Sequence, residues 1–268
     1  MRVGLLQFAP EFLDPERTME RLKASFEEKL PGADLDLLVL PELSNSGYRF
    51  TSEEEYLSCA ETLGDSSFIG FLAESARRYG LYIVAGMKEI DHGELYNTAV
   101  LVGADGLAGS YRKIHLFWDE KDYFRPGDSG LPVFDVGPAR IGILICFDWA
   151  FPEVWRILAL KGADVICHPS NLVLPKLCQQ AVPVYSLVNH VYALTANRTG
   201  TERDLTFTGG SVIADPEGGI IERASADGER LLVSTIDLRL CRDKNVTPRN
   251  HLFDDRRVSE YGEILSES

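Results

Sequence analysis

Short continuous apolar runs alternate along this chain with longer stretches of helical spacing. Residues 2 to 8, RVGLLQF, alternate and then run apolar, as a strand does. Asp14 and Pro15 mark a helix start, with Met19, Leu22, Phe26 and Leu30 recurring at helical spacing before Pro31-Gly32 closes it. LDLLVLPEL, residues 35 to 43, is a second apolar strand, stopped by Pro41 and followed by a lone carboxylate, Glu42. Residues 44 to 65 are polar and interrupted by Gly, a loop with a short acidic helix. A helix over 66 to 79 ends at Gly80, and LYIVAG follows as a third strand. YNTAVLVG, a turn at Ala104-Asp105-Gly106 and LAGSYRKIHL then read as an antiparallel hairpin, so the sheet is mixed.

The second half centres on residues 139 to 156, ARIGILICFDWAFPEVWR. The run Ile141 to Ile145 predicts a strand covered on both faces, ending on Cys146, with a helix starting at Pro152-Glu153 and stopping at Lys161-Gly162. ADVICH (163 to 168) is the next strand. Its right-handed crossover places the following HPSNL loop on the same sheet edge as Cys146. A helix over 181 to 190, the strand VYALTAN, the Gly-rich TFTGGSVIADPEGG and the strand LLVSTIDL complete this half. From Leu238 the chain is polar and charged. No linker or fixed-period repeat interrupts it, so one domain, 1 to 268, is expected, with a loosely packed tail over 238 to 268.

The composition narrows the function classes. At 268 residues, 45% hydrophobic and 25% charged, the chain suits one large globular domain. A net charge of -14 and no Lys/Arg cluster exclude a nucleic-acid or anionic-membrane surface. No apolar stretch approaches a membrane span, and the apolar run at the N-terminus is too short for a signal peptide, so a cytoplasmic location is expected. Five cysteines without CxxC or regular spacing fit reduced thiols. The five histidines form no ligand pair, and no metal or organic cofactor is expected.

Three chemically distinct residues therefore stand at strand ends. Cys146 at the carboxyl edge of a buried strand, ahead of a helix N-terminus, sits where a thiolate is favoured, although a free Cys is also a common core residue. Glu42 is either a strand-end acid turned to water or a buried group with a purpose. Lys113 follows Tyr111-Arg112 on a strand of alternating direction. If it faces inward it needs a carboxylate, and Asp119, Glu120 and Asp122 in the loop 116 to 128 supply candidates; that loop reads equally as a solvated turn.

Together with their flanks these segments resemble the nitrilase superfamily of carbon-nitrogen hydrolases. The marks are Pro41-Glu42 after a strand, Tyr111-Arg112-Lys113 before an aromatic, acidic loop, and Cys146-Phe147-Asp148 after a strand. The resemblance runs from Met1 to about Leu238 and takes in GLYIVAG, LYNTA, Phe124 to Asp128, and TGGS ending at Ser211. It implies an α/β fold, a four-layer α-β-β-α sandwich with mixed sheets, and a Glu-Lys-Cys site at Glu42, Lys113 and Cys146, with a second glutamate at Glu120. It also implies a homodimer or larger assembly paired through helices beside the site, with the tail wrapping a neighbouring subunit or disordered.

The chemistry that follows is attack on an amide or nitrile carbon. Glu42, with a raised pKa in a closed pocket, would take the thiol proton, give it to the departing ammonia or amine, and activate the water that frees the acyl group. Lys113 and the backbone N–H of Phe147 would hold the oxyanion, and Glu120 would fix the lysine head. Loops after these residues nominate Tyr48, Trp118, Trp149 and Asn171 as pocket walls. The Cys-x-Asp pattern is closer to amidase and carbamoylase branches than to the Cys-Trp-Glu of many nitrilases. The expected substrate is thus a small amide or N-carbamoyl compound, with small aliphatic nitriles as the alternative. Two other classes compete: a catalytically silent binding subunit of the same fold, and a thiol sensor pairing Cys146 with Cys167.

Overall fold

In β1 (Arg2–Gln7), Val3 and Leu5 enter one apolar core, while Leu6 enters another. β2 (Leu37–Val39) divides the same way, with Leu37 and Val39 on one side and Leu38 on the other. Strands with two buried faces read as continuous apolar runs, and their period-2 division creates a layer on each side. The computed structural model, which describes residues 1–266, resolves these layers into two stacked six-stranded sheets with helices on both outer faces.

The remaining strands are β3 (Tyr82–Asp91), β4 (Glu94–Gly103), β5 (Gly106–Arg112), β6 (Val133–Val136), β7 (Ala139–Ile143), β8 (Val165–Ser170) and β9 (Tyr192–Asn197). A small hairpin, β10 (Thr201–Glu202) and β11 (Leu205–Thr206), precedes β12 (Val212–Ala214), β13 (Ile220–Arg223) and β14 (Arg230–Thr235). The first sheet is ordered β14-β1-β2-β3-β4-β5 and the second β13-β12-β9-β8-β7-β6. Each has two parallel pairings at its centre and antiparallel edges, so both sheets are mixed.

Helices α1 (Pro15–Lys29) and α3 (Ser67–Tyr79) cover the first sheet with Leu22, Phe26, Phe68 and Leu72. Between them in sequence, the acidic loop helix forms as α2 (Glu53–Leu57). After β5 comes one short turn, α4 (Glu120–Tyr123). On the second sheet lie α5 (Pro152–Leu160) and α6 (Leu177–Asn189), whose Trp155 and Tyr185 rings stack at 5.2 Å. Beyond β14 the chain continues as α7 (Leu238–Arg242), with Leu238 and Cys241 buried, a two-stranded hairpin, and two 3-10 turns.

Some elements differ from the sequence reading. Strand β3 runs to Asp91 and forms a hairpin with β4, turned at His92 and Gly93, both with positive φ, as a type I′ turn requires. β6 is an edge strand of only four residues, too short to give a periodic signal. Helix α6 begins at Leu177, four residues ahead of the expected start, and carries Pro183 inside it. The strand expected to run to Ile145 ends at Ile143, and Cys146 opens a 3-10 turn over Cys146–Ala150.

One close approach ties the fold to the edge where the candidate residues gather. A Cβ on Gly86 of β3 would lie 2.4 Å from Glu42 Cα and 2.5 Å from Leu43 N. Gly86 N–H donates to Pro41 O (3.0 Å), and Ser44 N–H donates to Gly86 O (2.8 Å), so the chain after β2 is laid directly on β3. Gly86→Ala should therefore lower stability by about 1–3 kcal/mol through a forced backbone shift. A urea midpoint equal to wild type would contradict this packing.

Candidate active site

Glu42, Lys113 and Cys146 come from the ends of β2, β5 and β7 and meet at the carboxyl edge of the stacked sheets. Lys113 lies one residue past its strand, where its N–H still donates to Asn97 O at 2.8 Å. Its side chain is fully buried, and Nζ donates to Glu42 Oε1 at 2.8 Å and to Glu120 Oε1 at 2.7 Å. An inward lysine thus finds the carboxylate it requires twice over. Burial would lower the Lys113 pKa, but the charges of Glu120 and Glu42 more than offset it and hold the ammonium.

Each carboxyl is also fixed from outside the pair. Glu120 opens α4, where its Oε2 accepts the backbone N–H of Phe117 at 3.2 Å and Oε1 accepts Tyr48 O–H at 2.7 Å. Burial, opposed by the Lys113 charge, raises its pKa. Glu42 Oε1 accepts Asn97 Nδ2 at 2.7 Å, and its backbone O accepts Asn171 Nδ2 at 3.0 Å. Its other oxygen, Oε2, is buried with no hydrogen-bond partner among the described residues. A buried carboxylate oxygen with a vacant lone pair can accept a proton.

Cys146 has φ +42, a left-handed conformation that a residue with a Cβ adopts only when its surroundings impose it. Two partners do so. Asp148, wholly buried, accepts Ile145 N–H (2.9 Å) and Tyr111 O–H (2.8 Å) on Oδ2, and its Oδ1 lies 2.8 Å from His115 Nδ1. On the other side His168 Nε2 lies 2.9 Å from Cys146 O. A carbonyl only accepts, so Nε2 carries the hydrogen and Nδ1, 3.1 Å from Thr195 Oγ1, accepts. Burial lowers the His168 pKa to about 4, which keeps this tautomer neutral.

The thiol is not held as a thiolate. Burial and then the Glu42 charge push its pKa well up, and Lys113 pulls it down only in part. The sequence reading relied on a helix N-terminus to favour the thiolate, but α5 starts six residues later and only a one-turn 3-10 segment follows the cysteine. An uncharged thiol needs a base, which places weight on the open oxygen of Glu42.

The thiol faces a narrow recess with about 20 Å³ of room for water-sized groups, widening to about 290 Å³ when its open mouth is counted. Phe147, Trp149 and Asn171 line it. Tyr48 does not form a wall there; it hydrogen-bonds Glu120. Trp118 is a correction: its φ of +49 turns the ring outward, 56% exposed, beside the Arg49 guanidinium, and Phe117 lines the recess in its place. Asn97, Asp148 and His168 were not singled out as site residues, although LYNTA, Cys-Phe-Asp and His-Pro-Ser-Asn held the signals. Among the described residues, no group of three or more His, Cys, Asp or Glu side chains could hold a metal ion.

The carbon-nitrogen hydrolase family model matches residues 2–245. The chain belongs to this family, part of the nitrilase superfamily. It is similar to a nitrilase of Pyrococcus abyssi, 45% identical over 262 residues, covering 97% of this chain and 99% of that one. It is similar also to an (R)-stereoselective amidase of Pseudomonas sp, 34% identical, covering 98% of this chain and 94% of the relative. The crystal structure of a carbon-nitrogen hydrolase from Helicobacter pylori G27 superposes with a TM-score of 0.89 at 26% identity, covering 100% of this chain and 98% of that one. As a member of this family the chain is a carbon-nitrogen hydrolase with an α-β-β-α sandwich fold.

His168 makes acid sensitivity testable. Its folded pKa lies below the ordinary value of 6.5, so its contribution to stability is complete above pH 6.5 and is lost as pH falls toward 4. Wild type should lose up to about 1.4 kcal/mol per pH unit in this window from this group. His168→Gln, which keeps a donor to Cys146 O and cannot titrate, should flatten the slope. Equal slopes in urea denaturation at pH 6.5, 5.5 and 4.5 would rule the mechanism out.

Proposed function

We propose that this carbon-nitrogen hydrolase cleaves a small amide or N-carbamoyl compound through a thioester on Cys146. The observation that carries this reading is the unpartnered, buried Oε2 of Glu42 in a site whose thiol is protonated and whose other carboxylate oxygens are engaged. Glu42 takes the thiol proton as sulfur bonds to the acyl carbon. Lys113 Nζ and the backbone N–H of Phe147 receive the oxyanion, the latter from the first turn of the 3-10 segment, where N–H groups are not used internally. As the C–N bond breaks, the proton passes from Glu42 to the departing nitrogen. Water, deprotonated by Glu42, then attacks the thioester; the acid leaves and the thiol regains a proton. Tyr48 and Glu120 are positioning residues for Lys113 in this scheme.

Nitrile hydrolysis is the second reading, favoured by the name of the Pyrococcus abyssi relative. A catalytically silent role is disfavoured by the intact Glu42, Lys113, Glu120 and Cys146 cluster. Ammonia release over short amides, N-carbamoyl amines and aliphatic nitriles separates these readings. Cys146→Ala should lose at least ~1,000-fold in kcat/KM, and Lys113→Met roughly 100 to 1,000-fold. A poor substrate should leave an acyl adduct on Cys146 by mass spectrometry. Full activity of Cys146→Ala would end this assignment.

We also infer a homodimer in a reducing, cytoplasmic setting. Supporting the setting are five free cysteines, and no described helix is long and apolar enough to cross a membrane. Supporting the dimer are exposed apolar side chains on α5 and α6, namely Ile157, Leu160, Val184, Leu187 and Val188. These helices flank the site, and the chain past α7 lies along their ends through Lys244 Nζ to Asn189 O and His190 O. Leu187→Asp should move the sedimentation coefficient from dimer to monomer; an unchanged value would place the interface elsewhere.

A further inference from the structure

We propose that the acyl portion accepted beside Cys146 is short, uncharged and apolar, so that compounds carrying an ammonium or carboxylate a few bonds from the scissile carbon are rejected. This inference rests on the hydrolase reading above and specifies its substrate class. Three observations carry it.

The recess wall outside the thiol is built from Phe117, Phe147, Trp149 and the run Leu172, Val173 and Leu174, with Asn171 as its polar member. No ionisable side chain other than Cys146 lines it. The aromatic part is held in place and not free to swing away: Phe117 and Phe147 rings lie 5.1 Å apart, and Phe147 meets Phe151 edge-on at 5.4 Å.

The charged groups deeper in are already committed to one another. Lys113 spends two of its three N–H donors on Glu42 and Glu120 at 2.8 and 2.7 Å, and the third is the donor assigned to the oxyanion, so neither the ammonium nor the Oε1 oxygens are left for a substrate tail. The one vacant carboxylate oxygen, Glu42 Oε2, is required for proton transfer and cannot also serve as a counter-ion.

The arginines around the site are committed as well. Arg49 is held by Asp119 and Asp204, and Arg203 by Glu55. Arg198, buried with two unpartnered nitrogens, is bound through its third to Glu202 and lies against the Phe207 ring, outside the recess wall. A charged tail entering the recess would lose its water and find no opposite charge, which costs far more than any packing it gains.

The test uses three amides that share a two-methylene chain and differ in one terminal group: butyramide (methyl), β-alaninamide (ammonium) and succinamate (carboxylate), with the matching nitriles in parallel. Wild type should show kcat/KM for the methyl compound on the order of 100-fold above both charged ones. Val173→Asp, at a partly exposed position of the wall, should raise the ammonium compound at least tenfold relative to the methyl one. Charged and neutral compounds turned over within threefold of each other would overturn the inference while leaving the hydrolase reading intact. Turnover of none of the six would count against the hydrolase reading itself. In that case the recess is still read directly by labelling of Cys146 with methyl, 2-aminoethyl and 2-sulfonatoethyl methanethiosulfonate, each rate divided by that of free cysteine and followed by mass spectrometry at this residue. The neutral reagent should lead by tenfold or more. Equal normalised rates, or a lead by a charged reagent, would refute an apolar recess without reference to catalysis.

Discussion

A fully buried ammonium organises the functional edge of this protein. Lys113 cannot be taken out of water without opposite charge close by, and the fold meets that demand with carboxyl groups from two distant segments, Glu42 after β2 and Glu120 on α4. Each carboxyl must in turn be fixed, or the ion pairs would exchange for water. Asn97 and the close passage over Gly86 fix Glu42, while Tyr48 and the Phe117 amide fix Glu120. The requirement spreads further still. The Tyr48 backbone N–H is held by Glu202, which is paired with buried Arg198 at the end of β9. One desolvated charge therefore ties both sheets together at the edge where the thiol lies.

The thiol is governed by a different constraint, a backbone conformation that a non-glycine residue resists. Cys146 sits at positive φ because Asp148 pulls on Ile145 N–H from one side and His168 donates to the cysteine carbonyl from the other. Neutrality of His168 matters here: a protonated ring would place a second donor against the Thr195 hydroxyl and add an unpaired charge to the core. The low pKa of this histidine and the high pKa of the thiol have the same cause, burial, which favours the uncharged form of each.

Much of this was legible in the sequence because strands buried on both faces leave long apolar runs, and the polar residue ending each run stands out. Glu42 and Cys146 drew notice in that way, but only the family resemblance joined them with Lys113 into one candidate site; Pro15, Gly80 and Pro152 marked helix limits that the structure reproduces within a residue. The rest depended on information that does not lie along the chain. Asn97 and His168 occupy strands where a polar residue looks the same whether it serves the site or satisfies a neighbour. Trp118 and Phe117 are adjacent aromatics, and only the positive φ at Trp118 decides which of them enters the recess. The β3–β4 hairpin was missed because its turn uses His92 at positive φ, a position where Asn or Gly would have announced it.

Net charge also bears on how the proposed reaction ends. The site gathers two carboxyl groups about one ammonium, and its recess offers no further cation. A neutral amide enters such a place without a charge to desolvate. In the proposed reaction its hydrolysis turns the acyl carbon into a carboxylic acid, which in ionising becomes an anion beside Glu42 and Glu120, where Lys113 already balances two carboxyl groups. Like charges at short range in a poorly solvated site repel strongly, so in the proposed scheme the excess negative charge of the site favours release of the ionised acid over its retention.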